Sequence, residues 1–303
     1  MRILVTGSSG WLGQTLVPRL RRAGHEVVGL DVVPGATTRV VGSIADRPRV
    51  ASAIREHACQ AVIHAGALHK PHVALRAYDD FLQVNVQGTL NLLEEAVAQG
   101  VERFVFTSTT SLMISREIRA AKAGGAKRAV WVTEDMAPLS PRNIYGVSKL
   151  AAEQLCRLFH EQHELPVIVL RTARFFPEDD DMAHTIAQSE PNTKLNELLF
   201  RRLTVDDAAE AHLVALDKAR AIGFDTFIVS APTPFTPDDC EALLRDAPSV
   251  VARYFPDYPE RYARLGWTMF DAIDRVYDAS KAERVLGFRC RDDFATKLRE
   301  LPL

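Results

Sequence analysis

Tyr145-Gly146-Val147-Ser148-Lys149 sets a phenol and an ammonium four residues apart. On a helix, positions i and i+4 share a face, so the two side chains stand together. A phenol with a pKa near 10 is a poor base at neutral pH, and an adjacent cation favours its ionised form. Lowering that pKa by ~3 units takes about 4 kcal/mol of differential stabilisation, which one lysine and a second positive charge supply in a shielded site. The pair is acid–base machinery for redox chemistry at an alcohol carbon. His64, His69 and His72 also cluster, but their spacings of five and three lack the i, i+4 regularity of ligands on one helix, and no metal site is expected.

A second constellation stands near the amino terminus, in Thr6-Gly7-Ser8-Ser9-Gly10-Trp11-Leu12-Gly13. Glycine at 7, 10 and 13 permits a tight turn, lets backbone N–H groups approach a pyrophosphate and allows close helix–strand packing. The helix that follows turns its positive end toward the phosphates. Ser9, Trp11 and Leu12 belong to the same cradle. Asp31 follows about twenty residues on, where a carboxylate accepts hydrogen bonds from a ribose diol and repels a 2′-phosphate. Val32-Val33-Pro34-Gly35 offers no basic residue to welcome that phosphate, so NAD is expected over NADP. The nicotinamide then supplies the second positive charge beside Tyr145.

These residues need a scaffold. Short β-branched runs at Arg2-Val5, Glu26-Leu30, Ala61-His64, Arg103-Thr107 and Val167-Arg171 alternate with amphipathic stretches at Leu12-Ala23, Arg49-His57, Asn85-Gln99 and Ser148-Gln162. Such alternation predicts an α/β fold, a Rossmann-like doubly wound parallel sheet covered on both faces. From about Arg174 the rhythm breaks. A helix over 205-219 and a strand over Phe224-Ser230 rejoin the sheet. The expected organisation is an NAD-binding domain over 1-173, joined again by about 205-232, with a small C-terminal substrate-binding region from 174-204 and 233-303.

The chain has 303 residues, 47% hydrophobic and 25% charged, enough for a sizeable core and unlike a disordered chain. A net charge of -2, without interleaved aromatic and basic residues, gives no reason to invoke nucleic acid. No apolar run approaches a membrane span, so no membrane partner is expected. The first strand begins almost at Met1, leaving no room for a signal peptide, and Cys59, Cys156, Cys240 and Cys290 are scattered without a C-x-x-C pair. A cytoplasmic location is expected.

Taken together, the motifs resemble those of the extended short-chain dehydrogenase/reductases, the NAD-dependent epimerase/dehydratase family, over most of the first 230 residues. The glycine turn is similar to its T-G-x-x-G-x-x-G, and His64-Ala65-Gly66-Ala67 resembles its H-x-A-A strand end, which lies along the cofactor. The run from Asn85 to Leu93 resembles N-V-x-G-T-x-N-L-L, Phe106-Thr107-Ser108-Thr109-Thr110 the strand ending in the catalytic Ser/Thr, and Thr204-Val205-Asp206-Asp207 the V-D-D helix start. The resemblance implies that Tyr145 moves the substrate hydroxyl proton and that Lys149 holds the nicotinamide ribose and lowers the tyrosine pKa. It implies that Thr109 hydrogen-bonds the reacting oxygen, with Ser108 or Thr110 taking that role if the register slips by one. Asn85, Ala65, Gly66 and Ala67 fall to the cofactor side. Gly42-Ser43-Ile44 stands where the family has G-D-[IL], so Ser43 and Ile44 are placed near adenine.

Three departures bear on the substrate. Residues 114-135 are longer than the family's usual connection and carry Arg116, Arg119, Lys122, Lys127 and Arg128. The stretch is either a basic lid over an anionic substrate or a solvated surface helix. Arg174 stands where many relatives have an asparagine. It either clamps an anionic group or pairs with Glu178, Asp179, Asp180 or Asp181. Finally, about twenty residues separate that acidic run from Arg201-Arg202, a short stretch that argues for a smaller substrate than a nucleotide sugar, or for a pocket built from different elements. His69 and Thr110, with Arg174, are placed on the substrate side.

The expected function is NAD-dependent hydride transfer at a hydroxyl carbon of a sugar or sugar-acid-like molecule. A nucleotide-sugar 4-epimerase with tightly held NAD is the alternative, and a non-catalytic NAD-sensing regulator the alternative of another class. A dehydratase is disfavoured, because Thr109-Thr110-Ser111 lacks the Thr-Asp-Glu run. The resemblance also implies a homodimer through the helices that begin near Asn85 and Tyr145, with Leu92, Leu93, Leu155, Leu158 and Phe159 as its apolar positions.

Overall fold

The computed structural model describes residues 1–175 and 188–302. The amino-terminal half runs β1 (Arg2–Thr6), α1 (Trp11–Arg22), β2 (Glu26–Asp31), β3 (Val40–Val41), α2 (Arg47–Glu56), β4 (Ala61–His64), α3 (Tyr78–Phe81), α4 (Gly88–Ala98) and β5 (Arg103–Thr109). Then follow α5 (Arg116–Ala120), β6 (Val130–Val132), α6 (Ile144–His163), β7 (Val167–Thr172), α7 (Glu190–Leu198), α8 (Val205–Ile222) and β8 (Phe224–Val229). The remainder is α9 (Cys240–Arg245), α10 (Ala247–Tyr254), α11 (Tyr258–Leu265), β9 (Arg275–Tyr277) and α12 (Phe294–Glu300).

Among the described residues, one parallel sheet has the order β3-β2-β1-β4-β5-β7-β8. The direction of winding reverses between β1 and β4, and ligands of open α/β sheets bind in the crevice beyond the strand ends at such a switch point. Alternation along the strands decides the two cores. Ile3 and Val5, Ile63, Val105, Ile168 and Leu170 face α1 and α8. Leu4, Val62, Phe104 and Phe106, Val167 and Val169 face α2, α4 and α6. Each of these side chains is fully buried, and burying one such group contributes about 1.5–3 kcal/mol. Arg19 pairs with Asp206 and Glu210, tying α1 to α8 outside the core.

A third core forms in the C-terminal region, from Leu195 and Leu198 of α7 and Leu199 just after it, with residues of α9, α10, α11 and α12. It includes Ala129, and Trp131 packs against it. Strand β6 pairs in parallel with β9, Val130 to Arg275 and Val132 to Tyr277. The end of the 114-135 stretch is therefore built into the C-terminal region, although it lies within the first 173 residues.

The expected dimer face is largely used inside the chain. Leu92 and Leu93 are fully buried, Phe159 is 8% exposed, and Leu155 packs against the core below α4 and α6. Of the five, Leu158 alone is an exposed residue, at 41%. Among the described residues no helix is long and apolar enough to cross a membrane, and no group of three His, Cys, Asp or Glu side chains stands ready to hold a metal ion.

Candidate active site

A cavity of about 820 Å³ lies beyond the carboxyl ends of β1, β2, β4, β5 and β7. Gly7, Ser9, Gly10, Trp11 and Leu12 form one wall. Gly7 has φ +71°, and a Cβ on it would stand 2.7 Å from Gly66 N and 2.9 Å from Ala65 C. No larger residue fits there, because both the backbone conformation and the close approach of β4 exclude it. Gly13 does not reach the cavity. A Cβ there would meet Gly7 O at 2.3 Å, so its absence lets α1 press against the turn. Gly10 caps α1 with no side-chain hydrogen bond, leaving the first-turn amides uncapped by any side chain. That is the cradle a pyrophosphate needs.

Asp31, at the end of β2, lines the cavity. Its Oδ2 accepts from Ser9 N at 3.0 Å and its Oδ1 from Val33 N at 2.9 Å. Each oxygen keeps a second lone pair for a ribose hydroxyl. Ser43 and Ile44 line the cavity as well, and Ser43 Oγ accepts from Ala45 N at 3.1 Å. Asp31 is expected to favour NAD over NADP by at least ~10-fold in kcat/KM, about 1.4 kcal/mol, and Asp31→Ala to narrow the gap. Initial rates with both cofactors check this; equal use by the wild type would count directly against the assignment.

Ala65, Gly66, Ala67 and His69 also line the cavity. His64 stands behind them and is fully buried. Burial, with Lys149 nearby, holds its pKa well below the ordinary histidine value, so the ring is neutral. Thr89 Oγ1 donates to Asn85 O, so it accepts from His64 Nε2, and Thr6 Oγ1 contacts Nδ1 at 2.7 Å. His64 is a strand-packing residue. Asn85 also stays off the cavity wall. Its Oδ1 accepts from Leu68 N at 2.8 Å, and its Nδ2 donates to Leu68 O at 2.8 Å and to Ser148 Oγ at 2.9 Å. It pins the loop after β4 to α6. The backbone around it, residues 82–87, is a π-helical turn leading into α4, where an α-helix was expected.

Thr109, Tyr145 and Lys149 line the same cavity. Three hydroxyls compete at the end of β5, and their partners separate them. Ser108 Oγ donates to Glu153 Oε1 at 2.5 Å, and Thr110 Oγ1 donates to Thr172 O at 3.3 Å. Thr109 Oγ1 instead accepts from Ser111 N at 3.1 Å, which leaves its proton available. Thr110 is nevertheless part of the cavity lining. Asn143 caps α6 by accepting from Gly146 N at 3.0 Å, which starts the helix early enough to carry Tyr145 and Lys149 on one face. Tyr145 is 8% exposed and Lys149 3%. One turn on, Glu153 takes both arms of Arg171, with Nε–Oε1 at 3.0 Å and Nη2–Oε2 at 2.8 Å. This locks α6 to β5 and β7 beneath the reactive groups.

The Lys149 ammonium lies 4.1 Å from the centroid of the Phe106 ring. Burial lowers its pKa from 10.5 to about 8, against the opposing pull of Cys156 and Glu153. Between about pH 8 and 10.5 the unfolded chain therefore holds more protons at this position than the folded one, and folding gains stability as pH rises. The full shift corresponds to about 3 kcal/mol. In NAD-free protein, wild type is expected to gain stability relative to Lys149→Met across that window in urea unfolding. Parallel pH profiles would show that Lys149 is not depressed.

Arg174 also lines the cavity, half-buried, with its backbone bridged to Arg202. The carboxylates 178–181 offered as its alternative partners lie outside the described residues. Arg119, from the basic insert, lines the cavity too, and four arginines not expected as site residues do so as well: Arg76, Arg142, Arg201 and Arg275. Arg142 lies three residues before Tyr145 and was legible from that spacing. Arg275 was not, because it arrives on β9 through pairing with β6. Within the basic insert, Arg119 lines the cavity, whereas Lys122 donates to Arg245 O at 3.1 Å and Arg128 to Pro237 O at 3.0 Å.

A switch-point crevice that holds an uncapped glycine turn, a strand-end acid and a buried Tyr–Lys pair defines a dinucleotide-dependent enzyme scaffold. The chain belongs to the NAD dependent epimerase/dehydratase family, whose model matches residues 3–229. It is 31% identical over 179 residues to a UDP-glucose 4-epimerase of Azospirillum brasilense, a match covering 56% of this chain and 48% of that protein. The chain thus matches about half the length of that relative. An L-arabinose 1-dehydrogenase (NAD(P)(+)) of Haloferax volcanii is 27% identical over 97% of this chain and 98% of its own. Among solved structures, a short-chain dehydrogenase/reductase superfamily protein of Agrobacterium tumefaciens with bound NAD superposes with a TM-score of 0.69 at 25% identity, covering 99% of this chain and 95% of that one. NAD is the cofactor of the family, and the turn, the helix end and Asp31 fit it.

Proposed function

We propose that the protein is an NAD-dependent oxidoreductase acting at a hydroxyl carbon of a sugar or sugar-acid-like substrate that bears an anionic group. The observation that carries this is the convergence of Thr109, Tyr145 and Lys149 on the cavity that also holds the glycine turn and Asp31. NAD, when bound, supplies the hydride acceptor. Tyr145 takes the hydroxyl proton as the carbon is oxidised, and Thr109 donates its free proton to the reacting oxygen. Lys149 holds the nicotinamide ribose and stabilises the phenolate. Arg174 and His69 face the remainder of the substrate. NADH release screened over uronic acids, free aldoses, polyols, sugar phosphates and nucleotide sugars tests the reading; no NADH from any class would sink it.

The 31% relative named as an epimerase favours a second reading, in which Tyr145 performs the same proton transfer and the hydrogen returns to the opposite face of the carbon. An epimerase shows no stoichiometric NADH. A non-catalytic NAD sensor has no use for all three of Thr109, Tyr145 and Lys149.

The enzyme is proposed to work in the cytoplasm as a homodimer. Val147 and Leu158, 45% and 41% exposed, lie eleven residues apart on one face of α6, with exposed Tyr78 and Leu82 on the segment packed beside it. Light scattering at micromolar concentration is expected to report twice the 33.6 kDa chain mass; the single-chain mass would remove the dimer.

A further inference from the structure

Between β2 and β3 the chain is bonded to the glycine turn by side-chain hydroxyls. Thr37 Oγ1 donates to Ser8 O at 2.6 Å. Ser9 Oγ donates to Val33 O at 2.8 Å, which uses its single proton. Thr38 Oγ1, 2.7 Å away, therefore donates to Ser9 Oγ. Ser8 Oγ, 2.6 Å from Thr38 Oγ1, donates in turn to Thr38. The bonds run in one sense, from Ser8 through Thr38 and Ser9 to the Val33 carbonyl. Ser8 and Thr37 are buried. A Cβ on Gly29 would stand 1.9 Å from Thr37 O, so this approach needs a strand with no side chain there.

The hydroxyl chain ends at the two supports of Asp31. Ser9 N holds Oδ2 at 3.0 Å and Val33 N holds Oδ1 at 2.9 Å. The Ser9 hydroxyl joins those two residues to each other, which closes a ring of hydrogen bonds around the carboxylate. Thr38 keeps the ring shut: its proton occupies a lone pair of Ser9 Oγ and leaves the Ser9 proton aimed at Val33 O. A carboxylate selects a ribose diol by directed hydrogen bonds and rejects a 2′-phosphate by charge at close range, so both effects depend on its exact seat. We propose that Thr38 is a positioning residue for cofactor choice, acting through Ser9 and Val33 to fix the Asp31 carboxylate at the ribose of NAD. The proposal rests on the assignment of Asp31 to the ribose. It concerns cofactor binding alone and does not depend on which reaction follows.

The test is calorimetric titration of the protein with NAD and with NADP at constant ionic strength. Wild type is expected to bind NAD at least ~10-fold tighter than NADP. Thr38→Val, which keeps the shape and removes the hydroxyl, is expected to narrow that ratio at least ~3-fold, chiefly by weakening NAD. Thr38→Ser, which keeps the hydroxyl, is expected to bind both cofactors within about twofold of wild type. In an Asp31→Ala background, Thr38→Val is expected to move the ratio by less than about 1.5-fold, because the group it positions is gone. Ser9→Ala keeps the backbone N–H on Asp31 and removes the bond to Val33 O. It is expected to narrow the ratio as Thr38→Val does, and it supplies the test if that variant does not fold. A Thr38→Val protein with the wild-type ratio overturns the proposal. So does the same narrowing in the Asp31→Ala background, which makes Thr38 a prop for the loop alone. A wild type that binds the two cofactors equally removes the Asp31 assignment, and the role of Thr38 with it.

Discussion

Tyr145→Phe is expected to abolish turnover while NAD binding stays nearly intact. The change removes the oxygen proposed to move the substrate proton and little volume, at a site where the ring is almost fully buried. Neighbouring side chains do not replace it. Lys149 lacks an acceptor when charged, Ser108 is bonded to Glu153, and Thr110 is bonded to the backbone of Thr172. Steady-state rates with saturating NAD and the best substrate check this. A variant retaining more than about a tenth of wild-type kcat would show that another group is the base.

The second large effect is expected at Arg174. Truncating one partner of a buried charge pair typically costs ~2–5 kcal/mol, or about 30- to 5,000-fold in affinity. Arg174→Ala should raise KM for the true substrate by an amount in the lower part of that range, because Arg201 and Arg275 line the same cavity and share the load. NAD affinity should change little, since Asp31 is held by Ser9 N and Val33 N, and Trp11 of the turn meets this segment through the Phe175 backbone, which the change leaves in place. Arg174→Lys should rescue poorly, because a point charge lacks the planar fork. A kcat/KM within about threefold of wild type in Arg174→Ala would make this arginine structural.

The cofactor half of the site was legible because its residues are adjacent in sequence. Gly7 to Gly13 sit on one turn, Asp31 ends the next strand, and the strands between are apolar runs buried on both faces. Tyr145 and Lys149 were legible for the same reason, one helix face and one spacing. Asn85 was found, but its task was not. Its side chain bonds Leu68 and Ser148, contacts made across a π-helical turn that no local pattern announces. Strand β3 is two residues long, and β6 and β9 are three each, too short for periodicity and joined only by non-local pairing. The arginine wall was hidden by the same physics. Arginines from six segments line the cavity, and only the pairing of β9 with β6 brings Arg275 to it. The apolar positions assigned to a dimer show the converse error: Leu92 and Leu93 are amphipathic by pattern and simply fill the core below α4.

Hydride transfer at a carbinol is tested most directly by isotope. A sugar found active in the screen, carrying deuterium on its reacting carbon, is incubated with the protein and NAD, and both products are analysed by mass. The deuterium is expected in released NADH, one equivalent per sugar oxidised, with none in Tyr145→Phe. Deuterium retained in a sugar of inverted configuration would make the protein an epimerase working through the same residues. Deuterium lost to water, or a sugar converted without any transfer to the nicotinamide, would contradict hydride transfer at this site altogether.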